Sequence, residues 1–264
     1  PAINVREELA DLRKPTGIAG EAMLRAETPQ EQFNLIGAGR RNLFLNGDMR
    51  IDQRNGGATV NPTGYQYGLD RWFYSGAQGS NNYYTMARSN DAPSGFSNSL
   101  LVTSTTSSSP SSLWYFRQPI EAYNVSALAY GTSDAKTITA SFWVKSSITG
   151  AYGFIVSNPV SPYRSYSTTY TVNSANTWEY KTITIVGDTG AVLATGSTEG
   201  LRVIFAYGAT NYSGASNAWA TGLQHTIGGL TDFLGTNGAT LYLTGVQIEL
   251  GKVATPFEHR SYGE

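Results

Sequence analysis

From Ile138 to Lys145 apolar and polar side chains alternate. Ile138, Ala140, Phe142 and Val144 hold one parity; Thr139, Ser141, Trp143 and Lys145 hold the other. A period of two predicts a strand with one face buried. Leu201, Val203, Phe205 and Tyr207 repeat the pattern. Leu241 and Leu243 share one parity, and Val246, Ile248 and Leu250 share the other. The switch at Gly245 predicts a β-bulge or bend that returns the apolar side chains to the inside. Turn signals fall between such runs at Asn55-Gly56-Gly57, Asn61-Pro62, Gly187-Asp188 and Asn237-Gly238. Ser104 to Ser112, nearly all Ser and Thr, reads as an exposed loop. Many short strands with no long helical pattern between them predict an all-β, jelly-roll-like β-sandwich.

The first 41 residues follow a different rule. Asn4 with Glu7 makes a capping-box-like start, and Val5, Leu9 and Leu12 form one apolar stripe before Pro15. Glu21 to Ala26 reads as a second short helix. Thr28-Pro29-Gln30-Glu31 starts a third, on which Phe33 and Ile36 share a face and Gly37 ends the run. Each piece is shorter than the ~12–15 residues a lone helix needs in water. A short segmented α-helical N-terminal region is therefore expected at 1–41, with Val5, Leu9, Leu12, Phe33 and Ile36 as docking residues for oligomerisation or for another protein. Charge supports the division: 12 of the charged side chains lie in 1–41 and 25 in 42–264, while Phe33 is the only aromatic before residue 42.

Composition narrows the chemistry. The absence of Cys excludes disulfides, thiolate zinc sites and Cys nucleophiles. A net charge of -1 argues against a nucleic-acid partner, and no apolar run is long enough to span a membrane. Pro1-Ala2-Ile3-Asn4 begins no secretory signal pattern. With two His residues, His225 and His259, no H-E-x-x-H and no G-x-S-x-G, neither a zinc-hydrolase motif nor a nucleophile elbow is present. Glycoside hydrolysis needs only two carboxylates. Asp70, Asp91, Glu121, Glu179 and Asp232 are candidates that the sequence cannot pair, and no enzyme is expected.

Four stretches carry a resemblance. They are Asn42-Leu43-Phe44-Leu45-Asn46-Gly47-Asp48-Met49 with Ile51 and Gln53-Arg54; Gly68-Leu69-Asp70-Arg71-Trp72; Ile138 to Ser146 with Thr177-Trp178-Glu179-Tyr180; and Leu243 to Glu264. Together they resemble the β-sandwich of tail fibres and virion appendages of tailed bacteriophages, itself similar to the jelly-roll carbohydrate-binding modules of secreted glycanases. The resemblance covers most of 42–264. It implies a virion structural protein that acts outside the cell in host attachment, is often a homotrimer, and sits on the tail or head surface. Residues 1–41 would meet other virion proteins, and a host surface polysaccharide would be the ligand. Two alternatives stay open: a head decoration or tail adaptor protein without ligand, and a module of a secreted glycanase. Related modules hold a structural calcium with acidic residues before the last strand. Thr244-Gly245-Val246 stands there instead, which leaves Asp48 or Glu249 as contributors, and no cofactor is expected. Similar proteins also tend to continue beyond the position of Glu264.

Rings stack on the C–H faces of sugars while amides and hydroxyls read the polar groups. Candidate contacts are Tyr83 and Tyr84 in Asn81-Asn82-Tyr83-Tyr84, Trp114 and Tyr115, Tyr163 and Tyr166, and Tyr212 with Trp219. Each is equally suited to a core or an oligomer contact. Asp70-Arg71-Trp72 reads as a structural motif: ion pair or loop-fixing hydrogen bonds from the first two, and Trp72 in the core rather than as a sugar platform.

Overall fold

A computed structural model describes Arg25 and residues 41–62, 66–75, 83–106, 115–208 and 213–260. Apart from Arg25, which is helical and exposed, the predicted helices, with Val5, Leu9, Leu12, Phe33 and Ile36, lie outside the described residues, as do Trp114 and Tyr212. The strands all belong to one unit, Asn42–Glu264.

Among the described residues the chain forms β1 (Gln66–Tyr67), β2 (Phe73–Ser75), β3 (Tyr84–Ser89), β4 (Ser99–Ser104), β5 (Tyr115–Glu121), the single-turn helix α1 (Ala122–Val125), β6 (Ile138–Ser146), β7 (Gly150–Asn158), β8 (Arg164–Val172), β9 (Glu179–Ile185), β10 (Glu199–Ala206), β11 (Trp219–Thr221) and β12 (Thr240–Leu250). All named pairs are antiparallel. One sheet has seven strands in the order β1-β2-β5-β10-β7-β8-β11, and the other has five in the order β3-β4-β12-β6-β9. The two form the predicted jelly-roll-like sandwich.

The alternation in β6 is why. Phe142, on the five-stranded sheet, stands against Phe205 of β10 (5.1 Å, 88°), Tyr170 of β8 (5.0 Å, 75°) and Phe154 of β7 (6.0 Å, 13°). All four rings are shielded from water. Burying a side chain of this size is worth about 1.5–3 kcal/mol, and well-placed ring pairs add about 0.5–1.5. The parity switch in β12 also occurs: its register with β6 shifts between Thr244 and Gln247, and Gly245 lies at φ +61°.

The segment from Asn42 to Gly47 is bound along β12. Leu43 N donates to Ile248 O at 2.8 Å and Val246 N to Gly47 O at 2.9 Å. Buried Asn42 donates to Val246 O (3.0 Å) and accepts from Phe44 N (3.0 Å) and Ile248 N (3.1 Å). A Cβ on Gly47 would lie 2.1 Å from Val246 O, so only glycine fits. Gln118, buried on β5, exchanges two hydrogen bonds with the backbone of Leu45. These contacts give the Asn42 to Gly47 stretch a structural explanation.

Trp72 is fully buried. It stacks on Phe44 at 5.5 Å and donates its indole N–H to Asn46 O at 3.0 Å. Asp70 fixes the preceding loop by accepting from Gln53 N at 2.5 Å. Arg71, at φ +71°, pairs with Glu121 at 2.8 Å rather than with Asp70. The expected loop at Ser104 is corrected at its first residue. Ser104 ends β4 buried, because its hydroxyl can donate to Leu234 O and Thr106 O across the end of the sandwich.

Candidate functional site

Each sheet has an outward face, and the two differ in what covers them. On the seven-stranded sheet Tyr115, Ile155, Ile204 and Ala206 point outward and are roofed by Ile227 and Leu230 of the segment after β11. His225 stacks on Tyr115 at 5.4 Å and lies 3.2 Å from Arg202 Nη1. Burial first, then Arg202 and Arg117, pull the imidazole down to about 4. The middle of this face is thus a second small core.

The five-stranded sheet is open over part of its outer face. Because Phe142 and Val144 point inward, Trp143 and Lys145 point outward. Register sets Tyr180 of β9 beside Trp143 and Tyr242 of β12 beside Lys145. Trp143 and Tyr180 lie 5.3 Å apart at 49°, and Trp178 meets Tyr242 at 6.1 Å and 64°. The Lys145 ammonium sits 4.3 Å from the Tyr242 ring centre and 5.3 Å from that of Trp178, within cation–π reach. Asp91, in the loop between β3 and β4, accepts from Lys145 Nζ and, at 3.2 Å, from Trp178 Nε1. The Lys145 hydrogen bond is the main reason the Asp91 carboxyl lies below the usual range. The Asp91 backbone is held by Ser99 Oγ, 2.6 Å from its carbonyl.

One end of this patch is walled. A Cβ on Gly245 would lie 2.6 Å from Phe96 Cζ and 3.2 Å from Trp143 Cδ1, so the bare glycine lets both rings close over the bulge. Phe96 meets Phe257 at 5.1 Å and His259 at 5.3 Å. Behind them residues 251–260 strap the rest of the face. Glu249 accepts from Thr255 N (2.8 Å), Thr255 Oγ1 (2.7 Å) and Gln247 Nε2 (2.9 Å), and Gln247 accepts from Glu258 N (2.9 Å). Asn42 N donates to Glu258 at 2.8 Å, and Arg260 Nη2 donates to Asn42 O. The result is a bounded platform of Trp143, Tyr180, Trp178 and Tyr242 around one ion pair.

The sequence candidates fall elsewhere. Tyr84 is a core residue, edge-on to Tyr74 and Tyr207, and Tyr115 is roofed by His225; burial removes both as surface contacts. Tyr83 packs partly against the core. Trp219 and Tyr166 are brought together across β11 and β8 (6.0 Å), but both lean on the core, and the Trp219 indole donates to Val186 O at 2.7 Å. Tyr163 is exposed. Trp143, Tyr180 and Tyr242 were missed because they lie inside strands, where rings read as core; Trp178 stands just before β9. The available signal was parity, since Trp143 shares the polar parity of Thr139, Ser141 and Lys145.

Other predicted chemistry is spoken for. Asp48 pairs with Arg50, and among the described residues no three His, Asp or Glu side chains gather as a metal site. Of the glycosidase candidates, Asp70 lies 3.8 Å from Arg54, and Asp232 accepts from Gly235 N at 3.0 Å. Glu121 lies below its ordinary range, its burial outweighed by a backbone N–H and Arg71. Glu179 is lowered to about 2, because Lys181 and the Asn173 and Ser174 backbones outweigh desolvation.

No protein-family model matches the sequence, and no curated protein does. Some solved structures match at low identity. The enzymatically active domain of tailspike protein 4 of bacteriophage CBA120 matches at 13% identity and TM-score 0.41, over 79% of this chain and 21% of that one. A CBM4 structure matches at 20% identity and TM-score 0.40, over 78% and 99%. The N-terminal cellulose-binding domain of a β-1,4-glucanase from Cellulomonas fimi matches at 15% identity and TM-score 0.36, over 63% and 86%.

Proposed function

We propose that residues 42–264 are a non-catalytic glycan-binding sandwich, carried outward by a virion appendage subunit whose residues 1–41 join it to its own copies and to the particle. The observation behind the binding reading is the platform of Trp143, Tyr180, Trp178 and Tyr242. Exposed Tyr180 with half-buried Trp143, Trp178 and Tyr242 on an outward face, beside a fixed carboxylate, suit a ligand with alternating C–H faces and hydroxyls. The seven-stranded sheet offers less, since its central outer face is roofed by the chain itself.

The test is retention of the full chain on purified surface polysaccharides of candidate host bacteria, for wild type, Trp143→Ala and Tyr180→Ala. Central aromatic anchors typically carry about 2 kcal/mol or more, so Trp143→Ala should weaken binding about 30-fold or more. Binding by both variants equal to that of wild type would remove the platform from consideration. No binding by wild type to any polymer would favour a structural subunit without ligand. Mass in solution tests the homotrimer separately: a strict monomer contradicts it.

A further inference from the structure

The ion pair at the centre of the platform is not symmetric toward solvent. The Lys145 side chain is 12% exposed, covered by Tyr242 and Trp178, whereas that of Asp91 is 45% exposed. The cation lies beneath and the carboxylate on top. Glu179 and Lys181, on the neighbouring edge strand, neutralise one another at 2.6 Å and are both mostly covered. The Lys252 carbonyl accepts from Thr184 Oγ1, four residues along β9 from Tyr180, or ~13 Å. Among the described residues of the open patch, the charge a ligand meets first is therefore negative.

Resting on the reading of this patch as a glycan platform, we infer that Asp91 determines its specificity: the surface takes hydroxyl-donating, uncharged glycans and turns away uronate-bearing or otherwise anionic ones, with Lys145 holding the carboxylate in place. A carboxylate accepts only, so it rewards paired hydroxyl donors. An anionic polymer would bring like charge against it, which costs more as water is excluded.

The arrangement also predicts a switch. Asp91→Asn keeps the side chain's shape and an acceptor oxygen for Trp178 Nε1 but leaves Lys145 uncompensated beneath the rings. The patch then becomes cationic without losing an aromatic.

Wild type, Asp91→Asn and Trp143→Ala, each checked for folding by thermal unfolding, are assayed against uncharged bacterial polysaccharides and against polygalacturonate as the anionic probe. Wild type should bind at least one uncharged polymer and not polygalacturonate. Asp91→Asn should gain about tenfold or more for polygalacturonate at low salt and lose the gain at ~0.5 M salt, where screening shortens to a few Å. Polygalacturonate binding by wild type that Trp143→Ala abolishes would overturn the specificity inference and leave the platform standing. So would absence of a gain in a folded Asp91→Asn. Polymer binding unaffected by Trp143→Ala, or no binding at all, would overturn the platform and this inference with it.

Discussion

Gly245 ties the fold to the platform, and its replacement by Ala separates two costs. The first is conformational. At φ +61° an L side chain is strained by about 1–2 kcal/mol. Gly238, at φ +78° in the Asn237-Gly238 turn, has nothing within 4 Å of where a Cβ would stand. Gly238→Ala therefore carries the conformational cost alone, and the unfolded-chain effect of Gly→Ala is common to both. The second cost is steric. The Gly245 Cβ would sit 2.6 Å from Phe96 Cζ, whereas carbon contacts settle near ~3.5–4.0 Å. The Phe96 ring must move by about 1 Å, which disturbs its edge contact with Phe257, an interaction of about 0.5–1.5 kcal/mol. Gly245→Ala should thus destabilise by about 2–3 kcal/mol, roughly 1 more than Gly238→Ala. Urea midpoints of both variants at equal m-value measure the difference. Since Trp143 Cδ1 is only 3.2 Å from the same Cβ, Gly245→Ala should also weaken polymer binding while Gly238→Ala leaves it intact. Equal midpoints for the two variants would refute the close-approach argument.

Buried and exposed ion pairs should behave differently here. Asp188 is 1% exposed and takes Arg164 Nε on both oxygens at 2.8 Å. Asp188→Ala strands a mostly covered guanidinium and should cost about 3–5 kcal/mol, whereas Arg71→Ala, at the exposed pair with Glu121, should cost under about 1; thermal unfolding distinguishes them. His225 gives a pH dependence of known sign. Its folded value, about 4, lies below the ordinary 6.5, so between these values the unfolded chain binds more protons and acid lowers stability. His225→Gln should flatten the midpoint-versus-pH curve across that window, whatever its effect at neutral pH; an unchanged slope would contradict the burial of a neutral imidazole.

Parity along a strand is local information, and what it fixes is found in the structure: the inward rings of β6 and β10, and the correction at Gly245. Tyr84, offered as a contact, instead opens β3 on the buried side that it shares with Met86. What parity cannot give is coverage. Tyr115 and Trp143 both point outward from their sheets, yet one is roofed by a segment some 110 residues away and the other is left open. The pairing of Lys145 with Asp91 spans 54 residues, and that of Trp178 with Asp91 spans 87. No local pattern specifies either; both follow from the order of strands in the sheet and from a hairpin loop folded over its face. Accessible aromatics in a sandwich of this kind therefore lie on strand faces, as Trp143, Tyr180 and Tyr242 do, as well as in loops. Tyr115, at the very start of its strand, is drawn into the second layer that seals one sheet. A ring at the polar parity of a central strand is anchored by the ladder on both sides, and it stays available when the chain beyond it leaves that part of the face uncovered.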